Sequence, residues 1–222
     1  MKLYSLSVWS VFALVVTAKK LPDDFKLCRL SDPNYNECLK DATLSAVSQL
    51  ANGIKEIDAP PLEPLEIAKI EVTRGPFSIE LRDLKFYDIT KIKNITMNSK
   101  STANELVANS TSWLDEINGL SNYSMKENVR NEISLKAVAV KSGQYSHYRL
   151  THFSFHLIPN NGSFYWENII NGNAELSDAI NQGLNDNWKV LLEEFLPELE
   201  IVLAEYLTQY INNIFKYVPI LE

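Results

Sequence analysis

The feature that most constrains the fold is a long apolar repeat in the last third of the chain. Large apolar side chains recur there every three or four residues from Leu184 to Phe215. This spacing is the period of an α-helix, and a helix of about thirty residues is roughly 45 Å long. More apolar residues flank the main row, so much of the circumference needs to be covered by protein. Pro197 predicts a kink, or a division of the helix into two segments.

Alternating sequence earlier in the chain supplies candidates for that cover. Apolar and polar residues alternate as in half-buried β-strands. The segments with this pattern are 77–82, 133–137, 150–158 and 164–169, with Asn160-Asn161-Gly162 predicted as the turn between the last two. The patterns predict an α+β fold in which a strongly curved antiparallel sheet wraps around the long C-terminal helix. A coiled-coil dimer is the alternative, and the drift from strict heptads weighs against it.

A short N-terminal helix is also predicted. Asp32-Pro33 is a typical helix start, apolar residues then recur at helical spacing to Leu50, and Gly53 suits the end of a helix. The proline-rich segment 60–65 that follows predicts an extended connector. Residues 99–131 are polar and show no clear period, which predicts loop or weakly ordered structure.

The first eighteen residues have the pattern of a secretory signal peptide. Lys2 precedes an apolar run that ends in Val16-Thr17-Ala18, which predicts cleavage after Ala18. A membrane anchor is the alternative, but serines interrupt the run and it is too short to span a bilayer. The mature chain, residues 19–222, is therefore expected to be a single secreted, extracellular domain without stable membrane insertion.

The cysteines and the sequons agree with secretion. Cys28 and Cys38 are the only cysteines, and such a pair most simply forms a disulfide in an oxidising compartment. A zinc site is the alternative, but no nearby histidine supplies further ligands. Four Asn-x-Ser/Thr sequons are candidate glycosylation sites: Asn94, Asn109, Asn122 and Asn161.

Charge and motifs argue against several classes of function. The 21 Lys and Arg residues and 28 Asp and Glu residues give a formal net charge of −7, so nucleic acid is not an expected partner. His152 and His156 lie in a strand-like segment, where their spacing separates them by about 13 Å, too far to share a metal ion. The sequence contains no nucleophile elbow, HExxH helix or phosphate-binding loop. We therefore predict no enzyme activity, no catalytic residue, no cofactor and no metal.

Several spaced motifs resemble the insect takeout / juvenile-hormone-binding protein (JHBP) family. The N-terminal motifs are Cys28, Asp32-Pro33-x-x-Asn36-Glu37-Cys38-Leu39 and Pro61-Leu62-Glu63-Pro64-Leu65. The C-terminal motifs are Phe164-x-Trp166-x-Asn168-Ile169-x-Asn171-Gly172, Leu184-Asn185-Asp186-Asn187-Trp188 and Ile211-Asn212-Asn213-Ile214-Phe215-Lys216-Tyr217-Val218-Pro219. The resemblance covers about residues 21–90 and 133–222. Residues 99–131 are shorter and more polar than the middle of the family's pattern.

The resemblance implies a long helix wrapped in a strongly curved sheet and a secreted carrier of a small hydrophobic ligand. The family's cargoes are juvenile hormones, other terpenoids or fatty lipids, held in an elongated apolar cavity. The residues expected to line it are Phe153, Phe155, Leu157, Trp166, Trp188, Phe195, Leu199, Val202 and Tyr206. Ordinary core packing is the alternative for each of them. Two other functions stay open: a secreted interaction protein whose cavity is reduced or lost, and a lipid hydrolase or isomerase.

Overall fold

The computed structural model describes residues 20–74, 77–119, 123–166 and 169–222. The predicted signal peptide, residues 1–18, and the sequon at Asn122 lie outside the described residues. The helices are α1 (Tyr35–Leu50), α2 (Ala174–Asp186) and α3 (Trp188–Phe215), with a short 3-10 helix at Lys55–Ile57. The strands are β1 (Leu65–Arg74), β2 (Phe77–Tyr87), β3 (Lys93–Ser101), β4 (Glu105–Leu114), β5 (Ile117–Gly119), β6 (Tyr123–Lys126), β7 (Val129–Ser142), β8 (Tyr145–Ile158) and β9 (Asn161–Phe164).

These strands form two antiparallel sheets in the described part of the chain. One sheet has the order β1-β2-β5-β6-β9 and the other the order β3-β4-β7-β8. Strands β7 and β8 are 14 residues each and pair along their length, with a register shift between Lys136 and Ala137. The strands expected over 77–82, 133–137 and 150–158 are confirmed within β2, β7 and β8.

The middle of the chain is strand, so the prediction of loop or weak order over residues 99–131 was wrong. Strand β4 pairs with β7 along its whole length and with β3 on its other side. Leu106, Ala108 and Leu114 of β4 are buried, but Ser110 and Ser112 occupy the same alternating face. Serines on the inward face remove the contrast between apolar and polar positions on which the sequence pattern depends.

The strand expected over 164–169 was wrong except at Phe164, where β9 ends; residues 167 and 168 lie outside the described residues. Asn161 and Gly162 were predicted as a turn, but both lie in the strand. The glycine at position 162 serves the packing of β9 against α3 rather than a turn. A β-carbon added there would lie 2.9 Å from Leu192 Cδ1 and 3.1 Å from Trp188 Cε3, so the glycine lets β9 approach α3.

The helices differ from the prediction mainly in their ends. The C-terminal helical region is divided at Asn187, whereas α3 runs through Pro197 without a break over 28 residues. Pro197 is exposed, so the carbonyl that loses its partner can bind water. Helix α1 begins at Tyr35. In the turn before it, the Asp32 carboxylate accepts a hydrogen bond from the backbone N–H of Asn34 at 2.8 Å.

Helix α3 packs against both sheets but keeps one exposed stripe. It contacts β8, β9 and β1, and its buried side chains are Leu192, Leu196, Leu203, Tyr210 and Ile214. On the opposite side Val190 is 60% and Ile201 55% exposed. The sheets therefore wrap most of the helix, as expected of the fold class, and leave one side to solvent. In the described part of the chain no helix combines the length and apolarity needed to cross a membrane.

Side chains of α2 take the place of a neighbouring strand beside β9. Asn185 accepts a hydrogen bond from the Phe164 backbone N–H at 2.9 Å and donates one to the Phe164 carbonyl at 2.8 Å. Asn181 makes the same pair of bonds with Trp166, at 2.8 and 3.0 Å. The spacing of four residues places both amides on one face of the helix. Two of the quoted sequence motifs, those around Phe164 and Asn185, thus bind each other.

Helix side chains also bind the two edge strands of the four-stranded sheet, β8 and β3. Along β8, the backbone N–H of Leu150 donates to Asn212 Oδ1 at 2.8 Å, and that of Leu157 donates to Glu200 Oε1 at 2.7 Å. Along β3, the backbone N–H of Ser99 donates to Asn36 Oδ1 of α1 at 2.8 Å. Helix side chains thus hold the helices in register with the strands.

Candidate ligand-binding cavity

An apolar cavity of about 380 Å³ lies between α1, α3 and the two sheets. This volume falls in the range of about 300–1,000 Å³ that is typical of small-molecule sites. The wall combines α1, the inward faces of both sheets, α3 and the two ends of the described chain. Each of these elements contributes one apolar face, so residues that are distant in sequence form the wall together.

Helix α1 forms one side of the cavity with the apolar row that the sequence predicted. The lining residues of α1 are Tyr35, Leu39, Ala42, Thr43, Ala46, Val47 and Leu50. The predicted disulfide between Cys28 and Cys38 is confirmed, with 5.9 Å between the two Cα atoms. It joins α1 to the segment before it, which also lines the cavity through Phe25, Leu27 and Leu30.

The two ends of the described chain meet beside the cavity. Arg29 and Leu221 form a parallel β-bridge, and the backbone N–H of Leu30 donates to the Leu221 carbonyl at 2.8 Å. The tail after α3 contributes lining residues from Val218 to Leu221. Sequence reasoning missed both segments as lining, since neither has a period that marks an inward face.

The sheets and α3 supply the rest of the wall. The lining residues of the four-stranded sheet include Met97, Leu106, Ala108, Ser110, Leu114, Asn131, Ile133, Leu135, Tyr148, Phe153, Phe155 and Leu157. Those of the other sheet are Leu65, Phe86, Ile117 and Met125, and those of α3 are Leu199, Leu203, Leu207, Tyr210, Ile211, Ile214 and Phe215.

The structure places the nine residues expected to line the cavity in three environments. Phe153, Phe155, Leu157 and Leu199 line it. Four others pack against the buried core without lining the cavity: Trp188, Phe195, Val202 and Tyr206. Trp166 follows the last strand, is 36% exposed and stacks on Phe164 with 5.8 Å between ring centroids. It is not among the described residues that line the cavity.

Only some of the α3 residues expected to line the cavity do so, because the apolar stripe on α3 is wide. Core and cavity both require apolar side chains, so the sequence does not distinguish the part of the helix that packs from the part that borders empty space. Alternation in β8 was more informative, because a strand has only two faces.

Most polar side chains on the wall already bind the protein. The Tyr148 hydroxyl donates to the Thr102 carbonyl at 2.6 Å, and the Tyr210 hydroxyl donates to the Pro60 carbonyl at 2.6 Å. Burial raises the pKa of Tyr148 to about 12 and also raises the pKa of Tyr210. A phenol is neutral at physiological pH even without such a shift, so the wall stays uncharged around both tyrosines.

His152, His156 and the sequons at Asn94, Asn109 and Asn161 lie away from the wall. His152 and His156 are exposed on β8, and His156 Nδ1 is 2.9 Å from Glu200 Oε1. Asn94 and Asn109 are exposed on β3 and β4. Asn161 is half-buried, and its amide donates to a Glu127 carboxylate oxygen at 3.2 Å.

Comparison with known proteins agrees with this architecture. The family model described as "Haemolymph juvenile hormone binding protein (JHBP)" matches residues 6–129 and 113–222, nearly the whole chain. The chain belongs to this family. The fold of this JHBP family member is similar to the crystal structure of Epiphyas postvittana Takeout 1, with a TM-score of 0.67 and 18% sequence identity. The similarity covers 87% of this chain and 96% of that chain. No curated protein sequence matches the chain.

Proposed function

We propose that the protein is a secreted, extracellular carrier that binds a small hydrophobic ligand in the cavity. The observation that carries this proposal is the cavity itself, about 380 Å³ in volume and lined almost throughout by apolar side chains. Membership of the JHBP family supports ligand binding of this general kind. Juvenile hormones, other terpenoids and fatty lipids are the candidate ligands.

The driving force for binding is the removal of apolar surface from water. Burial of apolar surface contributes about 25 cal/mol per Å². A ligand that buries about 400 Å² would gain on the order of 10 kcal/mol before the costs of association are subtracted. Binding of this kind needs no covalent chemistry and is reversible, as a carrier requires.

The wall favours binding over catalysis. Among the described residues that line the cavity there is no histidine, aspartate or glutamate, and these are the groups that general acid–base catalysis uses most often. The one lysine, Lys26, pairs with Asp41 at 2.9 Å. We therefore propose that the protein is not an enzyme.

Secretion and processing form the second part of the proposal. Cleavage after Ala18 would release residues 19–222 as a single ligand-binding domain, and the disulfide is consistent with an oxidising compartment. Asn94 and Asn109 are the proposed glycosylation sites, because both side chains are exposed.

The proposal is tested with protein secreted by a eukaryotic host. Native mass spectrometry with lipid extraction should find a bound lipid, and an apolar fluorescent probe should bind at one site. Ala46→Phe places a ring in the cavity and should weaken probe binding about tenfold, because the probe loses contact area.

Ala179→Phe is the matched control, because Ala179 is exposed on α2 and should leave the affinity unchanged. If the secreted protein neither retains lipid nor binds the probe, the carrier proposal fails. An interaction protein without cargo then becomes the better explanation.

A further inference from the structure

Asn131 is unusual among the polar side chains on the cavity wall. It lines the cavity from β7, and its Oδ1 atom is buried without a hydrogen-bond partner. By contrast, Tyr148, Tyr210 and Thr43 donate to backbone carbonyls. An acceptor that is buried without a partner destabilises a fold, so its presence in an apolar wall calls for a physical explanation.

A hydroxyl group lies beside Asn131 on the same wall. Asn131 pairs across the strands with Ser112, and Ile133 pairs with Ser110, so Ser110 is diagonal to Asn131. Ser110 and Asn131 both line the cavity. Diagonal residues on one face of a sheet are about 7–8 Å apart. Their side chains extend into the same space, so one ligand hydroxyl between them can hydrogen-bond to both.

Ser112, directly opposite Asn131, is buried but is not among the described residues that line the cavity. The other neighbours of the pair are apolar. Ile133 follows on the same strand face, and Leu157 is opposite Asn131 on β8. In the described part of the wall, Ser110 has no side-chain hydrogen bond to the protein. Asn131 and Ser110 therefore form a small polar spot in an otherwise apolar surface.

We propose that this polar spot binds the hydroxyl group of the ligand, and that the ligand is a fatty or terpenoid alcohol. The inference rests on the proposed carrier function. The terminal torsion of asparagine is soft, so the carboxamide oxygen can turn towards a donor in the cavity. A hydroxyl donates to that oxygen and accepts from the Ser110 hydroxyl, which satisfies both groups.

Two related ligand classes fit this spot less well. An ester or an ether has only acceptors, so it leaves the Asn131 oxygen without a donor. A fatty acid is ionised at neutral pH and needs a cation, but Lys26 of the described wall already pairs with Asp41. The alcohol is the class that satisfies both side chains without introducing a charge.

The test compares dodecan-1-ol with its methyl ether, 1-methoxydodecane, by displacement of a fluorescent probe from the full mature protein. The wild type should bind the alcohol about tenfold more tightly than the ether, a factor typical of one hydrogen bond. In Asn131→Leu this ratio should fall to about one. Asn98→Leu is the matched control, because Asn98 is exposed on β3 and should keep the wild-type ratio.

The outcomes separate this inference from the carrier proposal. If the wild type binds alcohol and ether equally well, the alcohol assignment is overturned while the carrier proposal stands. If neither compound nor the probe binds, the carrier proposal itself has failed. Asn131→Leu should melt at or above the wild-type temperature, because the buried acceptor is gone. Should that variant fail to fold, Ser110→Ala must lower the ratio, and an unchanged ratio there would contradict the inference.

Discussion

At the scale of single residues, tyrosine hydroxyls join the cavity wall to the surrounding backbone. Tyr148 binds the carbonyl of Thr102 in the turn before β4, and Tyr210 of α3 binds the carbonyl of Pro60 in the proline-rich connector. Both side chains line the cavity. Each phenol thus satisfies its polar atom outside the cavity and presents its ring to the interior, an arrangement that suits an apolar ligand.

The raised pKa of Tyr148 predicts a loss of stability at alkaline pH. An unburied tyrosine has a pKa of 10.0, and burial raises the pKa of Tyr148 to about 12. The Tyr148 hydroxyl therefore loses its proton at a higher pH in the folded state than in the unfolded state. Its contribution to the free energy of unfolding is complete below pH 10 and is lost as the pH rises towards 12.

Urea denaturation between pH 8 and pH 12 should show a fall in the free energy of unfolding that is shallower in Tyr148→Phe. Superimposable pH profiles for variant and wild type would show that Tyr148 does not contribute to the fall.

At the scale of elements, the sequence predicted the position of α3 and of the long strands better than their boundaries. Periodicity shows where a regular element must be, whereas Asn187 divides α2 from α3 without any break in the apolar pattern. The strands between residues 99 and 131 were missed because Ser110 and Ser112 face inward. Pairing with β7, a tertiary interaction, decides the structure of that segment.

Asn185 should contribute strongly to the stability of the contact between α2 and β9. Asn185→Leu leaves the backbone N–H and carbonyl of Phe164 without their side-chain partners. We expect a loss of about 1–3 kcal/mol in the free energy of unfolding, measured by chemical denaturation. Gln182→Leu on the exposed side of α2 is the control and should change stability by less than about 0.5 kcal/mol. Similar losses in the two variants would argue against a specific role for the amide.

At the scale of the whole molecule, the cavity is the property that the sequence could least predict. Its existence depends on whether the side chains of α1, α3 and both sheets fill the space between them. A sequence records which faces are apolar but not the volume left between those faces. The expectation of a cavity came from the family resemblance. The strand pattern correctly placed Phe153, Phe155 and Leu157 on one face.

The disulfide should stabilise both the fold and the cavity. It closes a short loop, Cys28 to Cys38, for which the chain-entropy model gives about 2.8 kcal/mol. The double variant Cys28→Ser/Cys38→Ser should lose roughly that much stability in chemical denaturation. It should also release an apolar probe faster, because Leu27 and Leu30 line the cavity.

Reduction of the wild-type protein with a thiol reagent should reproduce both effects of the double variant. Unchanged stability together with unchanged probe release would show that the disulfide supports neither the fold nor the cavity.

The helix side chains that bind strand edges have a consequence for aggregation. An unpaired strand edge can pair with a strand of another chain and so start intermolecular β-structure. Asn181, Asn185 and Asn212 occupy such positions beside β9 and β8. The edge strand β1 instead carries several charged side chains, Glu66, Lys69 and Glu71, which disfavour the approach of a second strand. We therefore expect the contacts that fasten the helices also to hinder fibril formation in a concentrated solution of this protein.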